Sequence, residues 1–350
     1  MAEITPKTNT KLFGQDDAEA ALMRDLKANH LAHGWIISGP PGIGKATLAY
    51  RFARTLLSGY EPDDITEDDP VFRRVAAASH VDLLVVEPLL DPKKDERARN
   101  ISVEQAREIP QFLSLTPGEG RWRVVIVDPA DALNANAANA ILKILEEPPP
   151  QAVLLLVSHN PGKLLPTIRS RCRTLKLKPL AREQFIRAMR HVAPATDGGQ
   201  LQQLAEISLN SPGIAIDLLE HNAIEMYERM LAVLAPFPAI NALDVHAFSE
   251  QFSGALVHGN WQVFSHLALH LLERVARSSA GYDVASESSE EAVLQRLAGL
   301  HPAAVWAAKW QQTANQFMVA ERLHLDYKQL VIVFLHSMLK KDFQIGDAAA

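Results

Sequence analysis

The 350-residue chain contains a single cysteine, Cys172. A lone thiol excludes an intramolecular disulfide and any zinc site built on several thiolates. Long apolar runs are also missing: none approaches the roughly 20 residues needed to cross a bilayer. The opening segment, Met1 to Thr10, is polar and has no signal-peptide pattern, so a cytoplasmic location without a membrane partner is expected. Cationic excess is absent; the net charge is −6. A large independent nucleic-acid footprint needs a basic face, so only a few phosphate contacts inside a larger assembly are compatible with this balance. No clear internal repeat is visible. What remains is an ordinary globular composition, 47% hydrophobic and 22% charged, in a chain long enough for two or three domains.

One stretch carries recognisable chemistry: Gly39, Pro40, Pro41, Gly42, Ile43, Gly44, Lys45, Ala46 and Thr47. It follows the apolar run Trp35-Ile36-Ile37 and leads into Leu48 to Leu56, an order of buried strand, glycine-rich turn and helix. Gly39, Gly44 and Lys45 match the pattern G-x-x-x-x-G-K-[ST] except at its last position. In such a loop backbone N–H groups converge on phosphate oxygens, a helix N-terminus adds its dipole and lysine supplies a point charge. The hydroxyl after the lysine would ligate magnesium, but here that residue is Ala46, and Thr47 comes one position late. A tight turn without a ligand is the plainer alternative; the strand–loop–helix context favours phosphate or nucleotide.

Further short apolar runs read as strands at Leu83–Val86, Val124–Val127, Leu154–Val157 and Leu175–Leu177, with helical segments between them. Alternation of this kind predicts an α/β fold: a parallel sheet with helices on both faces and ligands at the carboxyl ends of the strands. Lys45, Asp128 and Ser158 fall at such ends. Asp128 is placed to hold magnesium directly or through water, and it is followed by Pro129, which has no carboxylate to orient a water. Asp131, three positions on, is a possible substitute base, with a helix-cap or surface role the simpler reading. Asp16 or Asp17 is the expected cap of a helix over 17–27, and Ser102 of one that follows it. The acidic stretch Glu61 to Asp69 reads as a solvated loop, Asp91 to Arg99 as an exposed turn and Ser286 to Glu290 as a mobile loop. Leu133 to Glu147 predicts one helix, ended by Pro148. Arg169-Ser170-Arg171-Cys172-Arg173 is either a compact anion site or a solvated basic turn. His30 and His33 have no third ligand nearby. Beyond Pro179 no strand pattern returns, and Trp306, Trp310, Phe317, Leu323 and Leu330 to Leu339 read as core positions of a helical bundle.

Taken in order, the glycine loop, the Asp-ended strand, Leu133-Asn-Ala-Asn-Ala-Ala-Asn-Ala-Ile-Leu-Lys-Ile-Leu-Glu-Glu-Pro-Pro149 and Ser170-Arg171-Cys172 resemble the clamp-loader branch of the AAA+ family. The likeness covers Leu12 to about Leu219 by motif and the rest by size and position. It implies a nucleotide-binding-like domain over 1–178, a small helical lid over 179–222, an all-α collar domain over 223–343 that holds subunits together, and a tail over 344–350. It also implies a pentameric ring with motor and clamp-opening subunits that places a sliding clamp on primed DNA, with ATP and its magnesium as the cofactor. Arg171 would act in trans as an arginine finger on a neighbour's ATP. Three departures, Ala46, Pro129 and Ile214 in place of a lid arginine, favour a subunit that binds ATP without hydrolysing it. The family's cysteine-rich zinc module has no counterpart, so no zinc is expected. Two other readings stand beside this one: an active ATP-hydrolysing motor subunit, with Thr47 or a water as the missing ligand, and an unrelated P-loop phosphotransferase.

Overall fold

A computed structural model describes residues 4–338, apart from short stretches at 92–95, 98–99, 120, 237–239, 254–256, 283–287 and 324. Two compact units divide the chain, Met1–Ala215 and Ile216–Ala350.

The first unit is built on a five-stranded parallel sheet. Its strands are β1 (Gly34–Ser38), β2 (Leu83–Val86), β3 (Arg123–Val127), β4 (Ala152–Ser158) and β5 (Arg173–Lys176), in the order β2-β3-β4-β1-β5. Every residue of β1, β3 and β4 is buried, as expected for apolar runs covered on both faces. Their helices are α1 (Asp16–Lys27), α2 (Lys45–Ser58), α3 (Pro70–Ala76), α4 (Val103–Leu113), α5 (Ala135–Ala140), α6 (Leu142–Glu146), α7 (Pro166–Arg169), α8 (Arg182–Val192), α9 (Gly198–Ile207) and α10 (Pro212–Glu220), the last running across the division between units. The expected α/β architecture is therefore present, with a glycine loop, a parallel sheet and following helices.

One expected cap is present, and a second that was not expected joins it. Ser102 caps α4 through a capping box with Gln105. Asn134 caps α5 by accepting from Ala137 N–H at 2.9 Å. Other expectations need correction. Gln15 precedes α1 without a side-chain cap bond, and Asp16 is already helical, so both aspartates act on the dipole of the first turn instead. The helix expected over Leu133–Glu147 is two: at Ile141 the N–H turns to Ala138 at i−3, which tightens the chain by part of a turn and keeps Ile141 in the core. The acidic stretch is not merely solvated. Asp69 caps α3, Asp63 pairs with Arg51 at 2.9 Å and Asp68 with Arg73 at 2.6 Å. Most of the turn expected over Asp91–Arg99 lies outside the described residues, although its ends pair as a two-residue antiparallel ladder.

A strap over residues 4–15 holds α2 from behind. Arg54 donates to the carbonyls of Lys7 at 3.1 Å and Asn9 at 2.6 Å, and its guanidinium lies over the Phe72 ring. Arg51 bonds Thr10 and Glu19. Gln15 Nε2 donates to Ile43 O at 3.2 Å and Lys178 O at 2.9 Å, tying the strap to the glycine loop.

In the second unit, α11 (Ala223–Leu234), α12 (Ala242–Ser249), α13 (Val257–Ser279), α14 (Ser288–Ala298), α15 (Ala303–Leu323) and α16 (Tyr327–Ser337) form an all-helical bundle. Trp261 on α13 stacks on Tyr327 at 4.5 Å and meets Phe317 edge-on at 4.9 Å. Trp306 and Phe317 are buried as expected, but Trp310 and Leu323 are exposed, because they flank the buried stripe of Trp306, Lys309, Thr313, Phe317 and Ala320 on its two margins. Of the loop expected over Ser286–Glu290, Ser286 and Glu287 lie outside the described residues, while Ser288 opens α14 and Glu290 is buried. Glu290 pairs with Arg274 at 2.7 Å and accepts from the Tyr227 hydroxyl at 2.7 Å, so a polar-looking sequence is drawn inward by a buried cation. Leu339 and the tail over 344–350 are also outside the described residues.

Candidate phosphate-binding site and a distal arginine

The glycine loop joins β1 to α2 at the carboxyl edge of the sheet. Gly42 and Gly44 have φ of 73° and 95°, which only glycine adopts without strain. At Gly39 a Cβ would sit 2.7 Å from Leu177 O, so the close approach of β5 demands glycine there too. Gly44 precedes α2 and offers no side-chain cap, leaving the first N–H groups of a 14-residue helix available to an anion. Lys45 is buried, and its ammonium donates to Pro40 O at 2.5 Å. Burial lowers its pKa to about 8, against the opposing pull of Asp128 and Asp131. A buried cation without a full counter-charge beside open amides fits phosphate oxygens.

The magnesium side of the site fits less well. Ala46 is the one residue of α2 that is not buried, and it faces the loop's rim without an oxygen. Thr47 is buried and lies about 100° further around the helix, so its hydroxyl does not occupy Ala46's place. Asp128 follows β3 directly, and its charge reaches Lys45. Asp131 is neither a surface residue nor a helix cap. Its carboxylate accepts from Ser158 Oγ at 2.8 Å, His159 N–H at 2.5 Å and Asn160 N–H at 3.2 Å, pinning the end of β4 beside the loop. Gly39 N–H in turn donates to Ser158 O at 3.3 Å. Lys45, Asp128, Asp131 and Ser158 thus share one edge. His159 joins them: burial and then the Lys45 charge lower its pKa, with Asp131 opposing.

Where α10 begins, the loop is closed by glycine on glycine. Gly213 N–H donates to Gly42 O at 2.9 Å, and a Cβ on Gly213 would lie 2.7 Å from Gly42 Cα. A Cβ on Gly42 would meet Ile214 N at 2.6 Å. Ile214 follows this contact directly, and Gly213, which makes it, is a residue that the sequence reading did not single out. The proline–glycine step before an apolar helix was the available signal.

Arg171 is elsewhere. It lies two residues before β5, whose register with β1 runs from Trp35↔Arg173 to Ser38↔Lys176. Gly39 follows the far end of that register. Four residue steps along parallel strands, roughly 13 Å, therefore separate the start of β5 from the loop, and Arg171 lies in the turn that precedes that start. Arg171 pairs with Glu146 at 2.8 Å, while Cys172 beside it is buried with its thiol pushed up to about 12. Among the described residues no group of three or more metal-ligating side chains occurs, and no helix is long and apolar enough to cross a membrane.

Residues 14–181 match the model of a protein family described as DNA polymerase III, delta subunit. The chain is 42% identical over 147 residues to the DNA polymerase III subunit delta' of Pseudomonas aeruginosa, covering 42% of this chain and 43% of that protein. It is 32% identical over 162 residues to the delta' subunit of Bacillus subtilis, covering 45% and 46%. With the tau/gamma subunit of Haemophilus influenzae it shares 30% identity over 285 residues, 79% of this chain and 39% of that one. The matched part spans less than half the length of each of these relatives.

Proposed function

We propose, from the match of residues 14–181 to the DNA polymerase III delta-subunit family and the similarity to delta' relatives, that the chain is a non-motor subunit of the DNA polymerase III clamp loader. It completes a pentameric ring with motor and clamp-opening subunits and supports the loading of a sliding clamp on primed DNA. In this reading Gly39–Lys45 holds ATP without consuming it, and Arg171 reaches a neighbouring subunit's ATP. Own turnover is absent or weak.

The observation that carries the reading is the separation of Arg171 from the chain's own loop along the β1–β5 register. An exposed guanidinium so far from Lys45 has no role at its own phosphates, yet its chemistry suits the charge that develops on a transferred phosphoryl group. Ala46 and Pro129 support the other half: the loop keeps its cradle and lacks the hydroxyl and the carboxylate that hydrolysis needs.

Turnover by the purified chain and by the reconstituted complex tests this. The isolated chain is expected to show background turnover, and Arg171→Ala to lower turnover of the complex by about tenfold or more. Robust turnover by the isolated chain, abolished by Lys45→Ala, would instead identify a motor subunit.

A further inference from the structure

The two motifs that lie furthest apart from the glycine loop, Leu145-Glu146-Glu147-Pro148-Pro149 and Ser170-Arg171-Cys172, meet in space. Below the surface Leu145 and Cys172 are both buried against Gly34 of β1, where a Cβ would lie 2.8 Å from Cys172 Sγ and 3.1 Å from Leu145 Cδ2. His33 Nε2 lies 3.0 Å from the Leu145 carbonyl oxygen and pins the same turn. One residue along from each buried anchor stands a charged one. Glu146 ends α6, Arg171 follows α7, and the anchors beneath set them side by side. Arg171 Nη2 lies 2.8 Å from Glu146 Oε1. Arg171 Nη1 donates to Thr167 O at 3.1 Å and Ser170 Oγ at 3.3 Å.

A guanidinium has five N–H donors in a fixed plane. Here both terminal nitrogens are engaged by the chain itself, and among the described residues no acceptor meets Nε–H. The plane is therefore set while one edge remains open. Arg173, two residues on, is committed elsewhere, to Asp25 and over the Trp35 ring. The Glu146–Arg171 side chains are 50% and 35% exposed, so the pair adds little to folding stability. Its consequence is geometric: an arginine with four free torsions is delivered in one orientation, and the ordering entropy is already spent before a phosphate arrives.

We propose that Glu146 is the positioning residue for Arg171, its carboxylate holding the guanidinium with an open edge toward the phosphoryl oxygens of a nucleotide bound by a neighbouring chain. This rests on the trans-acting reading of Arg171. It joins the two motifs into a single device, with Leu145 and Cys172 as its buried hinge pins and Glu146 and Arg171 as its working surface.

The test is ATP turnover of the complex reconstituted with full-length variants. Glu146→Ala is expected to lower kcat roughly three- to thirtyfold with KM for ATP unchanged, since only the transition-state contact is misplaced. Glu146→Asp recovers part of the loss, and Glu147→Ala, which alters the adjacent exposed carboxylate, leaves turnover unchanged. In an Arg171→Ala background Glu146→Ala adds nothing. Should Glu146→Ala weaken assembly, Glu146→Met keeps the length without an acceptor oxygen and is read the same way. Wild-type turnover in Glu146→Ala alongside impaired Arg171→Ala overturns the role of Glu146 and leaves the trans reading intact. A Glu146→Ala loss that persists undiminished without Arg171 also overturns it. Wild-type turnover in Arg171→Ala overturns the trans reading and this proposal with it.

Discussion

Lys45 gives the most direct physical handle on the glycine loop. Its pKa is lowered from 10.5 to about 8 by burial, with Asp128 and Asp131 only partly offsetting the loss of water. The folded chain therefore binds fewer protons than the unfolded chain between pH 8 and 10.5, and stability must rise with pH across that window. Below pH 8 the full penalty of a charged, desolvated ammonium is present. At 1.36 kcal/mol per pH unit, the penalty is about 3.4 kcal/mol at pH 7 and falls below about 1 by pH 10. Residual solvent at the loop's rim trims the change between these two pH values to about 2 kcal/mol. Lys45→Met removes the charge and keeps the length. The bond to Pro40 is lost too, but that offset is constant while the lysine stays charged, so the informative quantity is the pH slope. Urea unfolding of wild type and Lys45→Met from pH 7 to pH 10, followed by circular dichroism, should show wild type gaining about 2 kcal/mol on the variant. Parallel stability curves would refute the claim that the loop confines an under-compensated cation. The same cation predicts that ATP, if held at the loop, weakens above pH 8 by up to about tenfold per unit in wild type and not in the variant.

Other perturbations reach different parts of the molecule. Ala46→Thr restores a hydroxyl at the loop's rim and is expected to make nucleotide affinity depend on magnesium by about three- to tenfold in calorimetry, with turnover of the isolated chain still at background because Pro129 is unchanged. Gly213→Ala drives a Cβ onto Gly42 Cα and should destabilise the first unit by about 1–3 kcal/mol in urea unfolding. Glu290→Ala removes the carboxylate that faces the Arg274 guanidinium inside the helical unit and should cost about 1–3 kcal/mol in urea unfolding, while Arg274→Met with Glu290→Leu loses less than the sum of the single changes.

Much of this organisation is legible in the sequence because burial on both faces leaves little choice. Runs such as Val124–Val127 and Leu154–Val157 cannot be amphipathic helices at that length, and they form strands within a residue or two of their expected bounds. The glycine loop is legible for a different reason: its backbone conformation demands glycine at fixed places. What stays hidden depends on partners distant in sequence. Glu290 sits in a serine- and glutamate-rich stretch that reads as solvated until Arg274 and Tyr227 are known to face it. Asp131 looks like a spare carboxylate until Ser158, His159 and Asn160 turn their donors on it. Trp310 and Leu323 look like core because composition does not fix which face of a helix in a bundle meets its neighbours. In these three cases the role of the side chain is set by tertiary contact and not by local pattern.

The topology also sets Lys45 and Arg171 at opposite edges of one sheet. In a parallel sheet all carboxyl ends lie on one edge, so Lys45, Asp128 and Ser158 gather there of necessity. The connection from α7 into β5 must enter at the opposite edge, and with it come Arg171 and Glu146. Bringing Arg171 to Lys45 would mean reversing β5 or moving it about the length of a strand. Neither follows from side-chain motion. Under the proposed reading the two edges therefore serve two different nucleotides, one held at the chain's own loop and one presented by a neighbour. Loss of the loop's hydrolytic parts at Ala46 and Pro129 then has no bearing on the distal edge. A chain of this design can stop consuming nucleotide at one edge and still control its consumption at the other. That independence makes a sharp expectation: Lys45→Met and Arg171→Ala should affect turnover of the complex additively, and strong coupling between them would mean that the two edges communicate.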